Sequence, residues 1–405
     1  MRSSRIVAIG AGQAAASLAA RLRTIGHEGP ITLIGDEADI PYERPPLSKG
    51  YLLGARDRTR LHLRAEAFYT ERDIVVLTAT KVTAIDRAAR TVATAGGSVP
   101  YDHLVLCTGA HARRLPAAIG GALSNVFVLR SLADVDAMAS SFVEGARILI
   151  VGAGFIGLEA AASGRKAGMQ VTVIEAEDRI LKRAVGPDTA AEIRALHASH
   201  GVEILERARL QAIEADQHGR AVRVRLEGGA EIPVDVVLVG IGVVPATELA
   251  AAAGLALDNG IAVDDRGRTS DPHVWSAGDC ASFPWRGRRI RLESVQNAVE
   301  QAERVADNIM GADKPYDPVP WFWSDQFDVK LQIAGLSQGA TRVVRRQSGT
   351  ALSFWSYDGD RLLAVDALND GRGYMIGRRV LEKGGSIDPE QVGDPTVDLR
   401  KLAGI

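Results

Sequence analysis

Two short glycine-rich segments constrain this chain more than any other feature. Each follows an apolar run of strand length and precedes an alanine-rich stretch. Their small residues are Gly10, Gly12 and Ala15 in the first segment, and Gly152, Gly154 and Gly157 in the second. With this spacing, the first glycine makes a strand-to-helix turn, the second lets the backbone approach a ligand, and the third small residue lets helix and strand pack closely. Each segment therefore predicts a strand, a phosphate-binding turn and a helix.

An acidic residue follows each glycine segment, at the end of the next predicted strand. These residues are Asp36 after the first segment and Glu175 after the second. A carboxylate in this place can hold the ribose hydroxyls of a dinucleotide whose pyrophosphate lies at the helix N-terminus. An ordinary strand–helix–strand turn with a solvated acid is the alternative for either unit alone. Two such units on one chain predict two dinucleotides that face each other, with electron transfer between them.

Composition limits the remaining possibilities. A chain of 405 residues suggests two or three domains, and 48 basic against 50 acidic residues argue against a general nucleic-acid binder. The apolar runs are short and broken by glycine or charge, so we expect no membrane span. The N-terminus enters its first strand without the apolar region of a secretory signal, which favours a cytoplasmic protein.

The two cysteines, Cys107 and Cys280, lie far apart and form no CxxC motif. A disulfide framework is therefore not expected. Cys107 follows an apolar run, and we interpret it as a small core residue. Because no adjacent cysteine pair is present, electrons would have to leave by another route. No metal site is expected.

Five further segments narrow the interpretation. They are Pro41–Lys49, Phe155–Glu159, Ala277–Asp279, Glu293–Asn297 and Trp321–Gln326. Together with the glycine segments, they resemble the FAD-dependent pyridine nucleotide-disulfide reductase superfamily over nearly the whole chain. Within it, the chain resembles the NADH-dependent ferredoxin reductases of bacterial oxygenase systems, the group of putidaredoxin reductase and palustrisredoxin reductase.

The resemblance implies a fold and a division into domains. The fold class is α/β, with two Rossmann-like dinucleotide-binding domains and a C-terminal α+β domain, as in glutathione reductase. A discontinuous FAD-binding domain would cover residues 1–113 and 241–316. The NADH-binding domain would cover residues 114–240, and the C-terminal domain residues 317–405.

The resemblance also implies contacts to a non-covalently bound FAD. The first glycine segment would cradle the pyrophosphate, and Asp36 would hold the adenosine ribose. The other contacts would be Arg44 along the AMP half, Val82 at the adenine, Lys49 beside the isoalloxazine near N5, Asp279 at the ribitol chain and Val295 at the flavin O2 edge.

The second glycine segment and Glu175 would bind NADH in the same way. Glu159 would lie near the nicotinamide and pair with Lys49, and these two are the predicted catalytic residues. A cation near the flavin ring favours the negative charge that develops on reduction. Judged from the residues alone, Lys49 could simply be solvated, and Glu159 could simply favour the start of its helix.

Glu175 also bears on the choice of nucleotide. Its carboxylate would repel a 2′-phosphate, so we expect NADH to be preferred over NADPH. An NADPH enzyme would instead have an arginine near the end of that strand. Lys182 and Arg183 follow a few residues later, so the sequence leaves the choice between NADH and NADPH open.

The electron acceptor implied by the resemblance is a 2Fe-2S ferredoxin that supplies a haem monooxygenase or another oxygenase. Such ferredoxins are typically acidic, so a local basic patch is needed. The densest basic run consists of Arg286, Arg288, Arg289 and Arg291. The predicted docking residues are Arg289, which belongs to this run, and Arg304 and Trp323, which lie outside it. The alternatives are a solvated basic hairpin and, for the tryptophan, plain domain core.

Other functions of the same superfamily remain open at this point. An NADH oxidase or peroxidase would use a cysteine near the flavin, where this chain has Ser48 and Lys49. A second alternative is an NADH-sensing flavoprotein that resembles apoptosis-inducing factor. Monodehydroascorbate or rubredoxin reduction would differ only in the acceptor. The resemblance favours a monomer or a weak dimer.

Overall fold

The computed structural model describes residues 2–402, which fold into two compact units built from interleaved segments. The first unit contains the chain up to Glu43, Arg58–His111 and Val244–Pro318. The second contains Arg44–Asp57, Ala112–Val243 and the chain from Val319. The second unit joins the predicted NADH-binding region to the C-terminal region, so the division into three domains stays a prediction.

The strands and helices alternate for much of the chain. The strands are β1 (Ile6–Ile9), β2 (Ile31–Ile34), β3 (Ile74–Leu77), β4 (Val82–Asp86), β5 (Thr91–Thr94), β6 (Gly97–Pro100), β7 (His103–Leu106), β8 (Ala110–Ala112), β9 (Val126–Val128), β10 (Arg147–Val151), β11 (Gln170–Glu175), β12 (Val202–Glu206), β13 (Leu210–Ala215), β14 (Ala221–Leu226), β15 (Glu231–Pro233), β16 (Val236–Val239), β17 (Val243–Pro245), β18 (Ile261–Ala262), β19 (Val274–Ser276), β20 (Ala281–Trp285), β21 (Arg288–Ile290), β22 (Trp321–Gln326), β23 (Val329–Gly335), β24 (Arg342–Ser348), β25 (Ala351–Asp358) and β26 (Arg361–Leu368). The helices are α1 (Gln13–Thr24), α2 (Glu66–Thr70), α3 (Leu132–Ala139), α4 (Phe155–Lys166), α5 (Pro187–Ser199), α6 (Glu248–Ala252), α7 (Val295–Ile309), α8 (Gly371–Glu382), α9 (Pro389–Gly393) and α10 (Leu399–Leu402).

The first unit is built on a parallel sheet with the strand order β19-β7-β1-β2-β3. Residues 6–9 of β1 pair in register with residues 31–34 of β2 on one side and 103–106 of β7 on the other. Helix α1 carries apolar residues at helical spacing, and its Leu18 and Leu22 are fully buried in the same core cluster as Val305 and Ile309 of α7. The core therefore fixes both helices against the sheet that positions the first glycine segment.

The second unit repeats this plan and adds an antiparallel domain. Its parallel sheet has the order β12-β11-β10-β16-β9, and α4 follows β10 directly. The C-terminal sheet has the order β22-β23-β26-β25-β24, with Trp355 and Tyr357 fully buried in a core that α8 completes. Within residues 2–402, no helix combines the length and apolar character that crossing a membrane would require.

A buried acid lies between α5 and the C-terminal sheet of the second unit. Asp366 on β26 is 2% exposed, and its carboxylate accepts a hydrogen bond from Thr189 Oγ1 at 2.7 Å. Burial disfavours the charged form and raises the pKa of Asp366 to about 6, against the Thr189 and Gly186 hydrogen bonds, which act to lower it. The folded form therefore holds this proton more tightly than the unfolded chain does.

Asp366→Asn should make the stability difference from wild type depend on pH. The folded pKa of about 6 lies above the ordinary 3.8, so the stabilisation from Asp366 is complete below about pH 4 and is lost as the pH rises through 6. The free energy of unfolding of wild type minus variant should fall between pH 4 and 7 by on the order of 2 to 3 kcal/mol. Urea unfolding at a series of pH values measures this. A difference that does not change with pH would contradict it.

Candidate active site

The first glycine segment forms the turn that its sequence predicts. Gly10 has φ +109°, and a Cβ there would lie 2.1 Å from the carbonyl oxygen of Cys107, so no side chain fits. Gly12 caps α1, and a Cβ built on it would meet nothing within 4 Å. Ala15 is fully buried in the core beneath the turn. The turn therefore packs tightly against the protein at Gly10, whereas there is free space at Gly12, where the helix begins.

The second glycine segment has the same geometry. Gly152 has φ +100°, and its Cβ would lie 2.6 Å from the carbonyl oxygen of Gly240. A Cβ on Gly157 would lie 2.1 Å from the carbonyl oxygen of Gly152, whereas one on Gly154 would meet nothing within 4 Å. Neither α1 nor α4 has a side-chain cap at its N-terminus. The open space at both helix starts fits a group that accepts backbone N–H bonds, such as a pyrophosphate.

The two predicted ribose-binding acids lie beside these turns. Glu175 ends β11, and its carboxylate accepts hydrogen bonds from the backbone N–H of Ala153 at 2.8 Å and of Glu177 at 2.9 Å. Asp36 is exposed and follows Gly35, where a Cβ would come within 2.6 Å of the Ala11 side chain. The Glu175 carboxylate is therefore held next to the glycine turn of the second unit, and the residue before Asp36 lies next to the turn of the first.

Other predicted FAD contacts of the first unit meet the same turn. Gly278, just before Asp279, would bring a Cβ within 3.2 Å of the Ala14 side chain on α1. Gly278 also donates its N–H to Gln301 of α7, the helix that begins with Val295. The structure thus brings the Asp279 loop and α7 to the first turn of α1.

Val82 lies at the neighbouring strand end. Thr80 donates its N–H to the carbonyl of Gly35 at 2.7 Å, and Val82 begins β4 two residues later. The Val82 side chain is buried, so only its backbone could be offered to an adenine ring. In the second unit, Arg44 precedes a 3₁₀ turn at Pro45–Ser48 and donates to the carbonyl of Arg130 at 2.6 Å.

A buried carboxylate lies at the centre of the second unit. Glu159 on α4 is 5% exposed, and Lys49 Nζ lies 3.0 Å from its Oε1. Ser48 Oγ donates to Oε2 at 2.6 Å, and Ser324 Oγ donates to Oε1 at 2.5 Å. Lys49 also lies 3.3 Å from Oδ2 of Asp325. The ion pair between Lys49 and Glu159 that the resemblance implies is present, and the pair and its partners together come from three separate segments of the sequence.

The serines of this cluster and the polar groups that contact Ser324 were not predicted as site residues from the sequence. Ser324 accepts a hydrogen bond from Gln326 Nε2 at 2.8 Å, and Gln326 Oε1 lies 2.9 Å from His197 Nε2. A signal was present, since Ser324 and Gln326 are polar residues at alternate positions of an aromatic strand. Polar residues on the inward face of a strand must find buried partners.

The predicted docking residues differ in how firmly they are held. Arg289 donates to the carbonyls of Val263 at 3.0 Å and Ser282 at 2.5 Å, so its guanidinium joins the hairpin of β20 and β21 to the residue after β18. Arg286 and Arg288 are exposed and lie over the Trp285 ring at 4.7 and 5.5 Å.

The Arg291 side chain is held by both an ion pair and a hydrogen bond. It pairs with Glu293 at 2.6 Å and donates to the carbonyl of Asp279 at 3.1 Å. Arg304 is half-buried on α7, and the Trp323 ring packs 5.6 Å from that of Trp321.

Both cysteines are buried. Burial raises the pKa of the Cys107 thiol well above its ordinary value, and Cys280 adds to the effect. A thiol in this environment remains protonated and is a poor redox carrier.

The chain belongs to the pyridine nucleotide-disulphide oxidoreductase family, whose model matches residues 4–302. A reductase C-terminal model matches residues 321–403. Membership confirms the predicted fold class and makes the chain an oxidoreductase that uses FAD and NAD(H).

Among proteins of known sequence, the chain is 43% identical to rhodocoxin reductase of Rhodococcus erythropolis, over 98% of this chain and 93% of that one. It is 38% identical to putidaredoxin reductase of Pseudomonas putida, over 99% and 97% of the two chains. Its fold matches the covalent putidaredoxin reductase–putidaredoxin complex with a TM-score of 0.95 at 38% identity, over 99% and 98% of the chains. The ferredoxin reductase for the CYP199A2 system from Rhodopseudomonas palustris also matches with a TM-score of 0.95, at 39% identity over 99% and 100%.

Gly12→Ala and Gly154→Ala should separate ligand binding from folding. Both backbones are in ordinary regions, with φ −102° and −78°, and neither added methyl group meets protein within 4 Å. If phosphates approach these positions, Gly12→Ala should weaken FAD binding and Gly154→Ala NADH binding, each by about tenfold. Flavin absorbance after gel filtration and NADH titration measure these effects.

The matched control is Gly186→Ala. Gly186 also caps a helix, α5, with φ −66° and no atom within 4 Å of an added Cβ, but it lies outside both glycine segments. Its FAD content and NADH affinity should equal those of wild type. Unchanged binding in Gly12→Ala and Gly154→Ala would show that the phosphates do not approach these glycines.

Proposed function

We propose that this protein takes a hydride from NADH onto bound FAD and passes single electrons to a 2Fe-2S ferredoxin, which supplies a haem monooxygenase or another oxygenase. The observation that carries the proposal is the ion pair of Lys49 with the buried carboxylate of Glu159. Glu159 lies on the helix that begins at the second glycine turn. The relatives add support, since they are named for the reduction of rhodocoxin and putidaredoxin.

For FAD, we assign the pyrophosphate to Gly10, Gly12 and Ala15, and the adenosine ribose to Asp36. The support is the open space at Gly12 and the contact of Gly35 with the same turn. The remaining FAD contacts that we propose are Arg44, Lys49, Val82, Asp279 and Val295. When bound, FAD accepts a hydride as an electron pair and can release the electrons singly.

For NADH, we assign the pyrophosphate to Gly152, Gly154 and Gly157, and the adenosine ribose to Glu175. The support is that two backbone N–H groups hold the Glu175 carboxylate beside the glycine turn. A fixed carboxylate can accept hydrogen bonds from two ribose hydroxyls without further ordering. It cannot move easily away from a 2′-phosphate.

Lys49 and Glu159 are the residues that we propose to serve the hydride transfer. Lys49 supplies a positive charge in a partly buried place, where it acts more strongly than in water. Glu159 is held by two serine hydroxyls and fixes the position of the ammonium group. Position 48, where an oxidase or peroxidase of the superfamily would have a cysteine, is a serine that donates to Glu159. This argues against the oxidase and peroxidase alternative.

NADH should be preferred over NADPH by at least about tenfold in kcat/KM, equivalent to roughly 1.4 kcal/mol. Glu175→Gln removes the repulsion of the 2′-phosphate and should narrow this preference by raising activity with NADPH. The matched control is Glu177→Gln, an exposed acid two residues away that pairs with Lys182 at 2.8 Å. Steady-state flavin-dependent diaphorase assays with both nucleotides measure the ratio. Equal rates of the wild type with NADH and NADPH would contradict the assignment of Glu175 to the adenosine ribose.

The function is tested by NADH oxidation in the FAD-loaded protein, with and without a 2Fe-2S ferredoxin and with cytochrome c as the final acceptor. Strong stimulation by a ferredoxin is the expected result. Slow consumption of oxygen or peroxide without stimulation by any of a panel of such ferredoxins would overturn the proposal. A monomer or weak dimer remains our prediction for the oligomeric state.

We propose Arg289, Arg304 and Trp323 as contacts of the ferredoxin. Arg304→Glu should raise the KM for ferredoxin several-fold and leave ferricyanide reduction unchanged, because a small acceptor needs no docking surface. Arg289→Glu should do the same, but a thermal unfolding measurement must accompany it, since Arg289 also binds the carbonyl of Ser282 in its hairpin and that of Val263 after β18. Arg223→Glu, an exposed residue of β14, is the control. Unchanged ferredoxin kinetics would remove a residue from the docking site.

A further inference from the structure

Three buried polar side chains, those of Ser324, Gln326 and His197, form a hydrogen-bonded relay that leads from Glu159 to α5. Glu159 accepts a hydrogen bond from Ser324 at 2.5 Å, and Ser324 accepts one from Gln326 at 2.8 Å. Gln326 in turn lies 2.9 Å from His197. Ser324, Gln326 and His197 are each 0% exposed. Three groups without solvent contact thus connect the carboxylate to a helix of the nucleotide-binding region.

Only one arrangement of protons satisfies every contact. The single hydroxyl proton of Ser324 is directed to the Glu159 carboxylate, so the serine oxygen must accept the amide N–H of Gln326. The Gln326 carbonyl then faces the His197 ring and must accept a proton from it. His197 therefore carries its proton on Nε2, and all three donors point toward Glu159.

His197, at the end of the relay away from Glu159, fixes the direction of its hydrogen bonds. Within residues 2–402, its Nδ1 is buried and has no hydrogen-bond partner. Burial also lowers the pKa of His197 to about 4, so the ring is neutral near pH 7. If Glu159 became protonated and donated to Ser324, every hydrogen bond between these side chains would have to reverse its direction. The ring proton of His197 would then move to Nδ1. A buried donor would then lack an acceptor, which is unfavourable.

We infer that Ser324, Gln326 and His197 are positioning residues, which hold Glu159 as a hydrogen-bond acceptor beside Lys49 and so support hydride transfer. The inference rests on the proposed function, in which the pair of Lys49 and Glu159 serves the reaction of NADH with FAD. The three relay groups are uncharged. They therefore orient the carboxylate without a second charge that would compete with the ammonium group.

Titratable groups lie near both ends of the relay. At one end, Lys49 lies 3.0 Å from Glu159 and 3.3 Å from Asp325. At the other, His200 disfavours a positive charge on His197, and Phe327 packs against both imidazole rings.

Helix α5, which carries His197, also contacts two acid-bearing sites away from the relay. Its Thr189 donates to the buried Asp366 of β26, and its Glu192 lies 3.7 Å from Arg345 of β24. A pH measurement must therefore be read against a control variant of the same unit.

The test breaks the relay at two points, with Ser324→Ala and Gln326→Leu. Ser353→Ala is a closely matched control. Ser353 is also 0% exposed, donates to a carboxylate, that of Asp370, at 2.8 Å, and accepts from Trp355 Nε1 at 3.0 Å. It lies on the same sheet but outside the relay, so it reproduces the loss of packing and of a buried hydrogen bond alone.

Two readouts are needed. Rapid mixing of the FAD-loaded variants with NADH over a range of pH gives the rate of flavin reduction and its acid limb. Proton–nitrogen NMR of protein labelled in its histidines gives the tautomer of His197 and does not depend on activity. Thermal unfolding and flavin content show that each variant is folded.

Ser324→Ala should slow flavin reduction about tenfold and move the acid limb upward by about one pH unit, with the affinity for NADH unchanged. Gln326→Leu, one step further along, should have a smaller effect of about threefold, and it should release the fixed Nε2–H tautomer of His197. Ser353→Ala should change neither the rate nor the pH profile.

Rates and pH profiles of both relay variants equal to wild type would overturn the inference. So would equal changes in Ser353→Ala, since these would indicate a structural role only. If NADH did not reduce the wild-type flavin at all, the proposed function would fail. The tautomer measurement would still decide whether the relay exists, because a wild-type His197 protonated on Nδ1 would refute it directly.

Discussion

A carboxylate removed from water must be compensated by a nearby cation and by hydrogen-bond donors, and much of the second unit is organised around that requirement. Glu159 lies on α4, its cation Lys49 comes from the short segment Arg44–Asp57, and a serine donor comes from β22 of the C-terminal sheet. Segments more than a hundred residues apart in sequence therefore meet at one side chain. This explains why Arg44–Asp57 joins the second unit, although the strands before and after it belong to the first.

The same carboxylate is tied to the nucleotide turn by covalent geometry. Glu159 follows Gly154 on a single helix, so its position is fixed relative to the turn by the helix itself. The helix start offers open space, whereas its first turns are packed so tightly that a Cβ on Gly157 would overlap the backbone. A rigid helix thus connects the place where phosphate can bind to the place where charge is held. Small displacements at one end would be transmitted to the other.

Much of the fold could be predicted from local pattern. Helix α1 begins at Gln13 directly after the glycine turn, and α7 begins at Val295 after a serine cap, and both signals can be identified in the sequence. Strand β24 was not predicted. It carries several charged residues and pairs with β25 at the edge of the sheet, so it lacks the apolar alternation that indicates a strand. The aromatic residues of β22 alternate as is typical of a strand, but its inward polar residues were not recognised as partners of Glu159.

The sequence by itself determined the features that depend on neighbouring residues. These are the two glycine turns, the acids that follow them, and the absence of an adjacent cysteine pair. Tertiary structure decided which distant side chains meet. His197 and Gln326 are separated by 129 residues and Ser324 and Glu159 by 165, and no local pattern encodes such a contact. The physical reason is that backbone geometry and turn chemistry act over a few residues, whereas the compensation of a buried charge depends on packing between whole elements.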